Sequence, residues 1–138
     1  MIIIHTDGGA RGNPGPAATG VYITKKDGTV VTRFGKKIGE ATNNVAEYKA
    51  VVQAFSWLLK NKQHVNGPVS FLLDSELLVK QLSGKYKVKN QTLKELWYRV
   101  QQQKEQLGKE VTFSHVPREN NKEADYEVNK ALDNKSSF

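Results

Sequence analysis

No cysteine occurs anywhere in the 138 residues, which excludes disulfides, thiolate chemistry and cysteine-ligated zinc. Long apolar runs are also missing, and none approaches the ~18 residues that a membrane-spanning helix requires. The opening Met1-Ile2-Ile3-Ile4-His5-Thr6-Asp7 has neither the basic stretch nor the long apolar segment of a secretory leader, and reads as a strand that begins at once. Internal repeats and low-complexity linkers are absent too. The expectation is a cytoplasmic protein with no membrane partner. Asn90-Gln91-Thr92 matches a glycosylation acceptor, but without a leader it is read as chance.

The composition that is present, 38% hydrophobic and 25% charged, suits a folded soluble chain rather than a disordered one. The length fits one domain, typically ~100–150 residues, expected over residues 1–133, with 134–138 as a frayed tail. Twenty-one basic against fourteen acidic side chains give a net charge of +7. That balance favours a polyanionic partner and says nothing about fold.

Periodicity supplies the elements. Gly8 to Pro16 is rich in glycine and proline and reads as a loop. Ala18 to Lys25 and Thr29 to Ile38 read as strands joined at Asp27-Gly28. Thr42 or Asn43 caps a helix running to about Asn61. Val69 to Leu73 is a short buried strand, Ser75 to Leu82 a short helix, and Gly84 to Asn90 a basic loop. Gln91 to Leu107 is a helix with Leu93, Leu96, Trp97, Val100 and Leu107 on one face. Val111 to Val116 is a strand, Pro117 to Asn121 a loop and Lys122 to Asp133 a final helix. The order implies an α/β fold, a mixed sheet with an opening antiparallel meander, flanked by helices.

Four acids stand where a solvated charge is not normally placed. Asp7 ends the apolar Ile2-Ile3-Ile4, and Asp74 directly follows Phe71-Leu72-Leu73. Ligands bind at the carboxyl ends of strands in open sheets of this kind. Glu47 heads the stripe Ala50, Val51, Ala54, Phe55 and Leu58, while Asp125 borders Val128 and Leu132. Any one acid has an ordinary alternative as a cap or half of an ion pair. Four on inward faces need a cation, because an unpaired buried carboxylate is too costly. No lysine or arginine is placed to serve all four, which leaves Mg²⁺, or Mn²⁺ in its place. Setting the four aside leaves twenty-one basic against ten acidic side chains. An acidic metal site within a basic surface is what phosphodiester hydrolysis calls for.

Thr6-Asp7-Gly8-Gly9-Ala10-Arg11-Gly12-Asn13-Pro14-Gly15-Pro16 resembles the opening signature of the type 1 ribonuclease H family. Thr42-Asn43-Asn44-Val45-Ala46-Glu47-Tyr48 resembles its second motif and Leu73-Asp74-Ser75-Glu76 its third. The run from His115 through Asp125 resembles its fourth. All four occur in the family's order and spacing, over about Ile2 to Asp133. The resemblance implies a mixed five-stranded sheet with helices on both sides, and hydrolysis of the RNA strand of an RNA·DNA hybrid. It implies Asp7, Glu47, Asp74 and Asp125 as catalytic and metal-binding residues, with two ions about 3.5–4 Å apart at the scissile phosphate. Products would carry 5′-phosphate and 3′-hydroxyl ends.

Asn13, Asn43 and Asn44 match family positions that contact the hybrid's minor groove, where short amides can pair with a 2′-hydroxyl. Asn13 also suits a turn, and one of the pair a helix cap. The loop glycines are expected to let backbone approach nucleic acid.

The match departs from the family in three places. Glu76 stands where many relatives carry glutamine. Arg118 to Lys122 lacks the loop histidine of many bacterial members, and Arg118 is the candidate to steady phosphate charge in its stead. Only Lys85-Tyr86-Lys87-Val88-Lys89 replaces the family's long basic handle, so Lys85, Lys87 and Lys89 are candidates to grip the DNA strand.

With no room for an extra hybrid-binding domain, weak and salt-sensitive binding is expected. His115 is expected to be packed, and His5 to lie on the face of its strand opposite Asp7. Trp57 and Trp97 are read as core. A monomer without an obligatory protein partner is expected. The alternatives are a silent hybrid-binding module of the same fold, or another nuclease on this architecture.

Overall fold

The computed structural model describes residues 1–134. The expected tail therefore lies, apart from Asn134, outside the described residues. Strands β1 (Ile2–Ala10), β2 (Gly15–Lys25) and β3 (Val30–Ala41) form an antiparallel meander. Helix α1 (Asn43–Lys60) leads to β4 (Val69–Leu73), α2 (Glu76–Leu82) and α3 (Gln91–Leu107). Strand β5 (Val111–His115) and helix α4 (Lys122–Asp133) complete the chain. The sheet order is β3-β2-β1-β4-β5, with β1–β4 and β4–β5 parallel. This is the ribonuclease H-like mixed five-stranded sheet expected from the sequence.

Local chemistry accounts for most boundaries. The Thr42 side chain accepts from the Val45 amide to cap α1, and Ser75 and Asn90 do the same for α2 and α3. At the β2–β3 turn Asp27 Oδ1 accepts from the Thr29 amide at 2.9 Å, and Gly28 has φ 91°. Helix α3 ends on Gly108 in the left-handed region, φ 67°.

The Gly8–Pro16 loop expected from composition is shorter. β1 runs on to Ala10 and β2 resumes at Gly15, leaving Arg11 to Pro14 as the turn. The physical reason lies in helix packing. A Cβ on Gly8 would collide with the α1 backbone at Ala46 and Glu47, and one on Gly20 with the α4 backbone at Ala124. These glycines are strand residues stripped of side chains so that helices can dock closely. At Gly8 and Gly20 the close approach that glycine permits is to the backbone of a packed helix.

Helices cover both faces of the sheet. Gly8 faces α1, while Gly9, next along β1, faces Val128 of α4. On the α1 side Phe71 stacks on Phe55 with centroids 4.8 Å apart and meets Phe113 at 5.2 Å. Helix α1 lies between β1 and α3, so Tyr48 and Val52 are buried as well as the stripe expected from the sequence. Trp57 and Trp97 pack against this core, and Trp97 Nε1 donates to the Gln81 carbonyl at 2.9 Å. On the other face Arg33 of β3 pairs with Glu123 and Glu127 of α4, each at 2.8 Å.

Two histidine expectations fail. His115 is exposed, because it ends β5 at the sheet edge, beyond Phe113. His5 shares Asp7's face, since strand side chains alternate with period two and residues 5 and 7 are in step. Among the described residues no helix is long and apolar enough to cross a membrane.

Candidate active site

β1 and β4 are adjacent, parallel and central, so their carboxyl ends open at one edge of the molecule. The β1–β4 ladder registers only as far as His5 opposite Leu72. Beyond it Asp7 projects from β1, and Asp74 follows the last residue of β4. Gly8 lets α1 settle against β1, which carries Glu47 to the same place. Asp125 arrives on the first turn of α4.

Asp7, Glu47, Asp74 and Asp125 all line one cavity of about 310 Å³, with Asn43, Arg118 and Asn129 also on its wall. A larger depression of about 390 Å³ lies elsewhere, between the lysine loop and α3 at Tyr86, Lys87, Trp97 and Tyr98. It holds no acid, so the chemistry belongs to the smaller cavity.

Crowding of like charges shows in the acids' proton affinity. Burial, then Asp74, Asp125 and Glu47, push the Asp7 carboxyl up to about 8. Burial and then Asp74 raise Glu47 to about 7, opposed by the Ser75 hydroxyl and the Arg118 charge. Such a cluster takes up either protons or hard cations near neutrality. The donors are all carboxylate oxygens, which suit Mg²⁺ or Mn²⁺. Among the described residues no three acids or histidines are drawn together closely enough to enclose an ion by themselves. The site is not a closed cage, and an Mg²⁺ ion held there would need further oxygen ligands from water or substrate.

Arg118 is exposed on the cavity wall. It forms no ion pair within 4 Å among the described residues, but its charge lowers Glu47. Glu76 does not line the cavity. It is exposed and paired with Lys80 at 2.8 Å, one helical turn on.

Two of the three asparagines, Asn43 and Asn13, are tied into the frame. Asn43 Oδ1 accepts from the Ala10 amide at 2.8 Å, and Asn13 Oδ1 accepts from the Asn43 amide at 3.0 Å. The amide nitrogens of both side chains make no hydrogen bond among the described residues, so each keeps donors to offer. Asn13 and Asn44 line a neighbouring depression with Asn90 and Thr92 at the start of α3. Lys85, Lys87 and Lys89 are exposed on the loop between α2 and α3.

Two residues at the site escaped sequence reasoning. Asn129 Nδ2 donates to Asp125 Oδ2 at 3.3 Å, and its i+4 spacing on α4 was the available signal. Asn121 is fully buried and donates to the Thr6 carbonyl at 2.9 Å and to Asp74 Oδ2 at 3.4 Å. Nothing local in the sequence signals that contact.

Known proteins resemble this arrangement. A family model described as reverse transcriptase-like matches residues 5–131. A bifunctional protein of Mycobacterium tuberculosis is 38% identical over 133 residues, covering 96% of this chain and 35% of its own length. A ribonuclease HI of Halobacterium salinarum is 38% identical over 129 residues, covering 94% of this chain and 63% of its own. The chain thus spans about a third of the length of the mycobacterial relative. The crystal structure of LC11-RNase H1 in complex with RNA/DNA hybrid superimposes with a TM-score of 0.90 at 46% identity, over 96% of this chain and 97% of that one.

Proposed function

The chain belongs to the type 1 ribonuclease H family, and on that premise we propose that it is an endonuclease hydrolysing the RNA strand of RNA·DNA hybrids to leave 5′-phosphate and 3′-hydroxyl ends. One observation carries the proposal: four acids from four separate elements line a single cavity. The rest of the molecule is strongly basic, as a phosphate-binding surface requires. The solved relative bound to an RNA/DNA hybrid supports the choice of substrate.

Two Mg²⁺ ions, with Mn²⁺ as a substitute, would be held by Asp7, Glu47, Asp74 and Asp125 and supply water activation and charge neutralisation at the phosphate. The chain's own groups do the rest. Burial and neighbouring carboxylates raise the proton affinity of Asp7 and Glu47, so cation binding there would be coupled to proton release. The amide nitrogens of Asn13, Asn43 and Asn44 donate to 2′-hydroxyls, the group that separates RNA from DNA. Lys85, Lys87 and Lys89 meet phosphates of the DNA strand. Arg118 steadies charge on the transferred phosphoryl group. One copy carries the complete site, since all four acids come from a single chain.

The test sets labelled RNA·DNA hybrid, duplex RNA, single-stranded RNA and duplex DNA against Mg²⁺, Mn²⁺ or chelator, with Asp74→Asn alongside. Hybrid cutting that needs metal and disappears in Asp74→Asn supports the proposal. Hybrid binding without cutting points instead to a silent binding module, and cutting of duplex DNA to a different nuclease.

A further inference from the structure

Asn121 occupies the N-cap position of α4, where asparagine is among the best capping residues. Its side chain makes no capping hydrogen bond. It turns inward instead, with none of its surface exposed. The amide nitrogen donates to the Thr6 carbonyl at 2.9 Å and to Asp74 Oδ2 at 3.4 Å. Both partners are acceptors, which settles the amide's orientation. The Oδ1 atom is left without a hydrogen-bond partner among the described residues. A residue that forgoes its cap and buries an unpaired oxygen is poorly explained by helix stability.

Asn121 reaches one acid, Asp74, through its carboxylate, and the backbone at or beside two more, Asp125 and Asp7. The Thr6 carbonyl belongs to the peptide unit leading into Asp7, and it lies past the last residue pair of the β1–β4 ladder. Asp74 is held directly, and this is the one side-chain hydrogen bond it receives among the described residues. The Asn121 carbonyl accepts from the Asp125 amide at 3.1 Å, which starts α4 and sets where Asp125 emerges.

Resting on the activity proposed above, we propose that Asn121 is a positioning residue. It ties Asp7, Asp74 and Asp125 into one register, so that the open site is preorganised for divalent cations. Carboxylate ligands are themselves held by hydrogen bonds, and removing such a partner weakens metal binding without removing a ligand. Asn121 touches no substrate and acts only through the acids it holds.

The test measures Mg²⁺ affinity of the hybrid-free protein by calorimetry, together with kcat and KM on the hybrid. Wild type is compared with Asn121→Ala, with Asn121→Ser, and with Leu107→Ala as a core truncation outside the site. Serine has a single donor, so it can serve the Thr6 carbonyl but not Asp74 as well, and it carries the test if alanine does not fold. The expected result for the Asn121 variants is Mg²⁺ affinity weakened by about 10-fold or more. At fixed Mg²⁺ their kcat falls, KM for the hybrid does not change, and excess Mg²⁺ restores part of the loss. Leu107→Ala loses stability but keeps wild-type Mg²⁺ affinity. Equal Mg²⁺ affinity in wild type and both Asn121 variants overturns the inference and leaves the nuclease activity standing. A wild-type protein that neither binds Mg²⁺ nor cuts the hybrid overturns the activity, and the positioning role with it.

Discussion

Replacing Asp7 by asparagine removes one charge from four crowded acids while keeping the shape of the side chain, and it should make the metal-free protein more stable. The folded protein raises this carboxyl from 3.8 to about 8, through burial first and then the charges of Asp74, Asp125 and Glu47. An acid whose folded-state pKa is raised contributes a penalty that is absent below pH ~4 and grows as pH rises toward ~8, above which it is constant. Each unit is worth about 1.4 kcal/mol, so the full gap sets a ceiling of about 6 kcal/mol. Asp7 is partly exposed and its neighbours adjust their own protonation, so we expect about 2 kcal/mol at pH 8 and almost nothing at pH 4. For a chain of this length that corresponds to roughly 5–10 °C in Tm. Urea unfolding followed by circular dichroism, in chelator at pH 4, 6 and 8, measures the difference between wild type and Asp7→Asn. Added Mg²⁺ should narrow it, because cations relieve the same repulsion in the wild type. The variant should meanwhile lose hybrid cleavage. A stability difference independent of pH, or a less stable variant at pH 8, refutes the account of a cluster strained by its own charge.

Arg118→Ala should lower kcat on the hybrid about 10-fold in steady-state assays, and unchanged turnover and metal dependence would remove Arg118 from the mechanism. Changing Lys85, Lys87 and Lys89 together to glutamine should reduce the slope of log affinity against log salt by about 2–3. A slope equal to wild type in binding titrations would place the loop outside the contact. Arg33→Met strands Glu127, whose side chain is only 7% exposed, and should cost about 2–3 kcal/mol in chemical denaturation. Adding Glu127→Met should recover most of that loss, and failure to recover would assign the cost to lost packing around the Arg33 stem.

The four acids were legible in the sequence because their positions break a local pattern. Asp7 and Asp74 follow closely on apolar runs, and Glu47 and Asp125 sit on or beside apolar helical stripes. Periods of 2.0 and 3.6 encode which way a side chain points, so helix limits such as Lys122–Asp133 followed directly from them. The same local reading put Gly8 to Pro16 in a loop, because glycine looks alike whether it serves a turn or lets a helix approach a strand. Only the docking of α1 onto Gly8 distinguishes the two. Asn121 shows the limit most plainly: 115 positions separate it from Thr6, and no periodicity reaches that far. The sequence by itself determined which elements form and which of them carry inward-facing charge. Only the tertiary structure decided which distant groups meet, because those contacts depend on how whole elements pack and not on the residues beside them.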